Sequence, residues 1–112
     1  MLRPLLLAAL LAGLAGCVTP PMYSWGHYED LLYASYTSPD KATPDLQITQ
    51  LEADLQKARA ANRPVPPGFH AHLGYLYYQV GKADLAQQEF QTEKQLFPES
   101  AVFMDRLLAK KP

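Results

Sequence analysis

The stretch that decides the fold is "HLGYLYYQVG", residues 72–81. Its apolar and aromatic side chains recur with the i, i+3, i+4, i+7 spacing of one helix side, at Leu73, Leu76, Tyr77 and Val80. Gly81 suits the end of that helix, because glycine readily adopts the left-handed conformation found there. A second helix is predicted over 83–96, since Pro98 cannot continue it. The two segments together predict a helical hairpin.

Residues 67–100 resemble one tetratricopeptide repeat, a helix–turn–helix unit of about 34 residues. The residues that carry this resemblance are Leu73, Gly74, Tyr77, Gly81, Ala86, Phe90 and Pro98. The resemblance implies that the two helix backbones approach closely where Gly74 faces Ala86, because both residues are small. Tyr77 and Phe90 would fill the space beside this crossing.

Two positions depart from the pattern of the repeat. The tryptophan expected early in the first helix is His70, and the alanine expected late in the second helix is Glu93, followed by Lys94. A surface this polar favours the end of a stack of repeats over its continuation. Because one repeat cannot bury its apolar face alone, the remaining helices must serve as its neighbours.

The whole domain, residues 24–112, is expected to be all-α, since no window shows sustained alternation of apolar and polar residues. Further helices are predicted over 24–36, 44–61 and 101–108. In the last of them, Val102, Phe103 and Leu107 would face the hairpin and close the stack. The first two helices are open to interpretation as a degenerate repeat with an enlarged turn.

Residues 1–16 read as a lipoprotein signal peptide. Arg3 precedes a short apolar run, well below the roughly 20 residues that a membrane-spanning helix needs. Residues 14–17, Leu-Ala-Gly-Cys, resemble the bacterial lipobox, which implies cleavage before Cys17 and lipid attachment to its sulfur. Residues 17–23 would then form the lipidated cysteine and a short tether. The other interpretation is a generic signal peptide with an incidental cysteine.

The wider sequence resembles a family of small Gram-negative lipoproteins whose domain has no assigned function. After the lipobox, the resemblance rests on "YSWGHYEDLLY" (23–33), "PVPPGFHAHLGYLYYQVG" (64–81) and "EKQLFPESAVFMDRLL" (93–108). Members are often encoded beside a lipoprotein similar to the curli-secretion channel protein, which implies a role in cell-envelope assembly and a partner of that kind. By resemblance to lipoproteins of enterobacterial type, Val18 after the cysteine implies the outer membrane.

The chemical inventory gives little support to an enzyme. His70 and His72 are two residues apart, so on a helix they point about 200° away from each other and cannot share a metal ion in the usual way. No serine lies in a nucleophile motif. The formal net charge of -1, with mixed signs, argues against nucleic-acid binding. We expect no catalytic residue, cofactor, metal site or small-molecule substrate; a small metal-dependent cell-wall hydrolase is the alternative.

The surface of the hairpin is the remaining candidate for function. In tetratricopeptide hairpins the inner side of the first helix lines the binding groove, which by resemblance assigns partner binding to Ala71, Tyr75, Tyr78 and Gln79. Tyrosine suits a protein contact because it offers a large area and one polar end. A core position for Tyr75 and Tyr78, beneath the first helices, is equally compatible with the pattern.

A second aromatic group follows the tether and comprises Tyr23, Trp25, Tyr28, Tyr33 and Tyr36. Tryptophan and tyrosine are favoured at a lipid interface. The pattern more strongly favours a core position for several of these rings, packed against the second helix.

These features predict an outer-membrane lipoprotein whose domain faces the periplasm. Its expected role is that of a protein-binding adaptor or assembly factor for an envelope secretion or transport complex. A pilotin-like helper that escorts an outer-membrane subunit is the alternative within the binding class.

Overall fold

The computed structural model describes Gly16 and residues 21–110, and over these residues the predicted all-α class is confirmed. In chain order they form α1 (Tyr28–Thr37), α2 (Pro44–Ala60), α3 (Phe69–Gln79), α4 (Ala83–Leu96), a 3₁₀ turn (Pro98–Ser100) and α5 (Ala101–Ala109). The predicted lipidation site, Cys17, lies outside the described residues, as does most of the predicted signal peptide. Among the helices that are described, none is long and apolar enough to cross a membrane.

Helix α2 begins at a capped end. The Thr43 side-chain oxygen accepts a hydrogen bond from the backbone N–H of Leu46 at 3.4 Å. Pro44 occupies the first helical position, where its missing N–H costs nothing. Lys57 and Arg59 lie in the last turn, beside the partly negative end of the helix. The predicted start of this helix is confirmed, and the Thr43 cap and Pro44 explain it. The two basic residues stabilise its other end.

Helix α1 begins at Tyr28, so the predicted start at Ser24 is wrong. Gly26 has a φ of +50°, and a β-carbon there would lie 2.6 Å from Asp54 Cγ. The next backbone N–H, that of His27, donates to Asp54 Oδ2 at 2.8 Å. The chain therefore turns on a glycine against the side of α2 before it becomes helical.

The segment before α1 is tied to the linker between α2 and α3. The backbone N–H of Ser24 donates to the Pro64 carbonyl at 2.7 Å. This bond is made between parts of the chain far apart in sequence, so no local pattern predicts it. It places residues 21–25 beside the end of α2.

The α3–α4 crossing is as close as the repeat resemblance implies. A β-carbon on Gly74 would lie 2.6 Å from Phe90 Cε1 and 3.1 Å from the Ala86 carbonyl oxygen. Ala86 is 1% exposed, and Tyr77 and Phe90 are each 5% exposed. The prediction that small residues meet at the crossing, with two aromatic rings beside it, is confirmed.

The core runs through the stack of helices. Neighbours pack in chain order, α2 on α3, α3 on α4 and α4 on α5. The buried members are Ile48, Leu51, Ala58, Val65, Phe69, Leu73, Leu76, Tyr77, Ala86, Phe90 and Met104. Helix α1 joins this core through Tyr28 and Leu31. The other helices thus bury the apolar face that a single hairpin would leave open.

Helix α5 packs on the core through Leu107, as predicted, but not through Val102 and Phe103. Val102 and Phe103 are 69% and 60% exposed, whereas Met104 is buried, with Leu107 and Leu108 packed beside it. Both sides of this helix carry apolar residues, so their spacing alone does not select the inner side. The 3₁₀ turn at Pro98–Ser100 leads directly into α5, so the side that faces inward also depends on the geometry of this turn.

Tyr28 packs against the core to which α2 contributes, as expected of the N-terminal aromatic side chains. They form a row in which Tyr23 contacts Phe97, Trp25 contacts Tyr23 and stacks on Tyr28, and Tyr28 contacts Phe69 of α3, with ring centroids 5.8–6.5 Å apart. Tyr33 and Tyr36 are 71% and 83% exposed. The row packs on α3 and on the residue after α4, because the Ser24–Pro64 bond holds its first members there.

Candidate protein-binding cleft

A cleft of about 320 Å³ opens between α1, the start of α2 and α3. Its lining consists of Leu32, Ser35, Tyr36, Pro39, Ala42, Pro44, Gln47, His72, Tyr75, Leu76 and Gln79. Apolar, aromatic and neutral polar groups alternate around it, and the lining contains no aspartate, glutamate, lysine or arginine. Such a surface suits an uncharged segment of polypeptide better than a charged ligand.

The structure brings together two of the four predicted partner-binding residues. Tyr75 and Gln79 both line the cleft, and Gln79 Nε2 donates to the Tyr75 hydroxyl at 3.3 Å. Ala71 is partly buried against the core, and Tyr78 lies outside the cleft lining. Tyr75 and Tyr78 are 52% and 47% exposed, so neither is a core residue.

Helix α1 contributes cleft residues that the sequence reasoning assigned elsewhere. Leu32, Ser35 and Tyr36 follow the i, i+3, i+4 spacing of one helix side and all line the cleft. The sequence predicts a core or lipid-facing position for Tyr36, yet its ring is 83% exposed and lines the cleft. Two features of the sequence could have predicted these cleft residues. One is their spacing at the end of α1, and the other is the resemblance to repeats whose first helices line one groove.

A pair of side chains fixes the polar floor of the cleft. Gln47 is buried, and its Nε2 donates to the Ala42 carbonyl at 2.7 Å. Its Oε1 therefore faces His72 Nε2, 2.8 Å away, and that ring nitrogen is the donor. Burial lowers the pKa of His72, so the ring is neutral at neutral pH. The floor is thus uncharged as well as ordered.

The two departures from the repeat pattern lie inside the protein rather than on its surface. His70 is 4% exposed, and its Nδ1 donates to Glu89 Oε2 at 2.6 Å. Glu93 is 1% exposed, and its Oε1 accepts the backbone N–H of Gly68 at 2.7 Å, just before α3. The polar groups expected to mark the end of the stack instead join the two helices of the hairpin.

The second oxygen of Glu93 has a different environment. Glu93 Oε2 is buried without a hydrogen-bond partner among the described residues. Burial, and next the negative charge of Glu93, raise the pKa of the Tyr28 hydroxyl. A β-carbon on Gly68 would lie 2.7 Å from that hydroxyl, so Tyr28 closes the space over the start of α3.

The three histidines form hydrogen bonds in three separate parts of the fold. His27 bonds Asp54, His70 bonds Glu89 and His72 bonds Gln47. Their different partners agree with the expectation that neighbouring positions on α3 point apart. Within the part of the chain that is described, no three histidine, cysteine, aspartate or glutamate side chains form a group suited to a metal ion.

A second cleft, of about 450 Å³, lies among α2, α3 and α4. It contains Glu52, Arg59, Tyr77 and Glu89. The Tyr77 hydroxyl donates to Glu52, and burial together with this bond raises its pKa. Glu52, Tyr77 and Glu89 already have partners within the chain, whereas the rings of Tyr36 and Tyr75 stand open to solvent.

Comparison with known proteins identifies a family but no characterised relative. No curated protein and no solved structure matches the chain significantly. The family model "Domain of unknown function (DUF4810)" matches residues 22–107, which includes all five described α-helices except the end of α5. The chain belongs to this domain family.

Proposed function

We propose that the protein is a lipid-anchored adaptor of the outer membrane that binds an envelope protein on its periplasmic side. Cys17 would carry the lipid, and the cleft between α1 and α3 would hold an extended, uncharged segment of the partner. The partner class implied by the family resemblance is a secretion or transport component, such as a curli-secretion-channel-like lipoprotein. No covalent chemistry is required for this role.

The observation that supports the proposal is the combination of open aromatic rings and an ordered, neutral floor in one cleft. Tyr36 and Tyr75 offer large apolar faces at its mouth. Gln79 and the neutral His72 supply polar groups that can orient a peptide backbone. Aromatic anchors surrounded by neutral polar groups are typical of protein-binding surfaces.

Anchoring would strengthen binding that is weak in solution. A protein held on a membrane leaflet meets a partner on the same leaflet at a raised effective concentration. Two or more acyl chains hold a protein stably, whereas one chain holds it only marginally. The cleft therefore needs only modest intrinsic affinity to act as an adaptor.

The test compares two tyrosines on the same helix. Tyr75 and Tyr78 have similar exposure, but only Tyr75 lines the cleft. Tyr75→Ala should weaken partner capture from crosslinked intact envelopes by about 30-fold, because an aromatic anchor can be worth about 2 kcal/mol. Tyr78→Ala is the matched control and should capture the partner at the wild-type level.

Circular dichroism and membrane yield show whether each variant is folded before capture is compared. If folded Tyr75→Ala protein recovers every partner at wild-type levels, the cleft is not the binding surface. Equal loss in both tyrosine variants would likewise contradict a role specific to the cleft.

A further inference from the structure

The end of the domain nearest the tether carries a surface of distinctive composition. We call it the tether-end patch and define it by Met22, Trp25, Arg59, Arg63 and Leu96. Met22, Trp25 and Leu96 are 76%, 39% and 54% exposed, although all three are large apolar side chains. Both arginines are exposed, and both line one depression together with Leu96.

Several contacts bring these residues together. The Tyr23 ring lies 6.5 Å from that of Trp25 and 6.2 Å from that of Phe97, which follows Leu96. The Ser24–Pro64 hydrogen bond places the same segment next to Arg63. A shallow depression of about 320 Å³, bounded by Arg59, Arg63, Leu96 and Phe97 among others, connects the arginines to Leu96 and to the ring that Tyr23 contacts.

The charges of the patch are available to a ligand. Neither Arg59 nor Arg63 forms a salt bridge with a carboxylate in the described part of the chain. Arginine can keep its charged end near phosphate while its stem lies along apolar surface. A guanidinium also matches the geometry of a phosphate group.

The position of the predicted anchor identifies the occupant. Pro21 begins the continuously described chain, and Cys17 precedes it by a stretch that spans only about 12 Å when extended. We propose that the tether-end patch lies on the membrane surface, with Trp25, Met22 and Leu96 among the lipid headgroups and the arginines on lipid phosphates. This inference rests on the proposed lipidation of Cys17.

Docking in this way would orient the binding cleft. Trp25 precedes the start of α1, whereas Tyr36 lies in its last turn. Tyr36 lies eight residues beyond the start of α1 at Tyr28, so at about 1.5 Å per residue the cleft mouth lies about 12 Å along the helix from its patch end. The patch would thus hold the domain upright, with Tyr36 and Tyr75 directed toward the periplasm.

The chain supplies its own probe, because Trp25 is its one tryptophan and Cys17 its one cysteine. The processed protein, purified from membranes, is reconstituted into phosphatidylglycerol-containing vesicles, with and without brominated phospholipid. Docking should shift Trp25 emission to shorter wavelengths, and brominated lipid should quench it. Arg59→Glu combined with Arg63→Glu should abolish most of the quenching in the anchored protein, whereas Arg106→Glu, on α5, should not change it.

Mass spectrometry of the same sample separates the two proposals. An unmodified Cys17 would contradict the proposed anchoring, and a maleimide phospholipid coupled to that thiol would still test docking. An anchored protein whose Trp25 emission equals that of the chain in solution, with no quenching, would overturn the docking proposal. Shielding of Trp25 only after a partner protein is added would also overturn it and assign the patch to protein contact.

Discussion

Gly74 of α3 lies so close to Phe90 of α4 that a β-carbon at position 74 would be 2.6 Å from Phe90 Cε1. The Ala86 carbonyl oxygen would lie 3.1 Å from the same point. The Phe90 ring and the Ala86 carbonyl cannot both move away from an added β-carbon unless α4 itself shifts. The hairpin therefore depends on the absence of a side chain at this position.

Added bulk at the crossing should destabilise the fold. Gly74→Ala and Ala86→Leu should each cost about 1–3 kcal/mol in free energy of unfolding, the usual range for overpacking. For a domain of this size, each kcal/mol corresponds to a fall of roughly 4–8 °C in melting temperature. Ala60→Leu, at the exposed end of α2, is the matched control and should melt with the wild type. Unchanged melting of Gly74→Ala or Ala86→Leu would contradict the close crossing.

Acid should destabilise the protein through His72. Burial lowers the folded-state pKa of this ring below its ordinary value of 6.5. The folded state therefore disfavours the protonated ring. The stability associated with a neutral His72 is complete above pH 6.5 and is lost as the pH falls through the folded-state pKa. His72→Gln should lose less stability than the wild type between pH 7.5 and pH 5, which are about one unit or more either side of 6.5.

Urea unfolding at several pH values measures this difference. What is compared is how steeply the free energy of unfolding falls with decreasing pH in each protein, since His27 and His70 are present in both. If His72→Gln loses as much stability with falling pH as the wild type, burial of a neutral ring at the cleft floor is the wrong account.

The proposed lipid attachment is tested by changing Cys17, the proposed acceptor. Cys17→Ser should prevent lipidation, and the variant should no longer fractionate with the outer membrane. Val18→Asp keeps the cysteine and, by resemblance to enterobacterial sorting, should move the protein toward the inner membrane. Retention of the Cys17→Ser variant in the outer-membrane pellet after high-salt and carbonate washes would show that the anchoring proposal is wrong.

The hairpin could be predicted from the sequence because its determinants are local and regularly spaced. Gly74, Gly81 and Ala86 mark the close crossing and the turn by residue type alone. The N-terminus of α1 could not be predicted in this way, because a hydrogen bond from His27 to Asp54, on another helix, turns the chain there. The inner side of α5 likewise depends on the 3₁₀ turn that precedes it.

The candidate cleft was predictable only in part, for a related reason. The resemblance to the tetratricopeptide repeat assigned Ala71, Tyr75, Tyr78 and Gln79 to the groove side of α3. Which of the two tyrosines lines a cleft depends on where α1 lies, and the Gly26 turn and the Tyr28–Phe69 contact fix that position. Both are tertiary features, so the sequence pattern did not distinguish Tyr75 from Tyr78.

Site-specific photo-crosslinking in intact envelopes tests the central claim most directly. A benzophenone-bearing amino acid is placed singly at positions 36, 75, 78 and 46, all of which hold exposed side chains. The cleft account predicts the same discrete protein adduct from positions 36 and 75, on opposite walls, and none from positions 78 and 46. Adducts from 78 or 46 without any from 36 and 75 would contradict it, since the partner would then bind elsewhere.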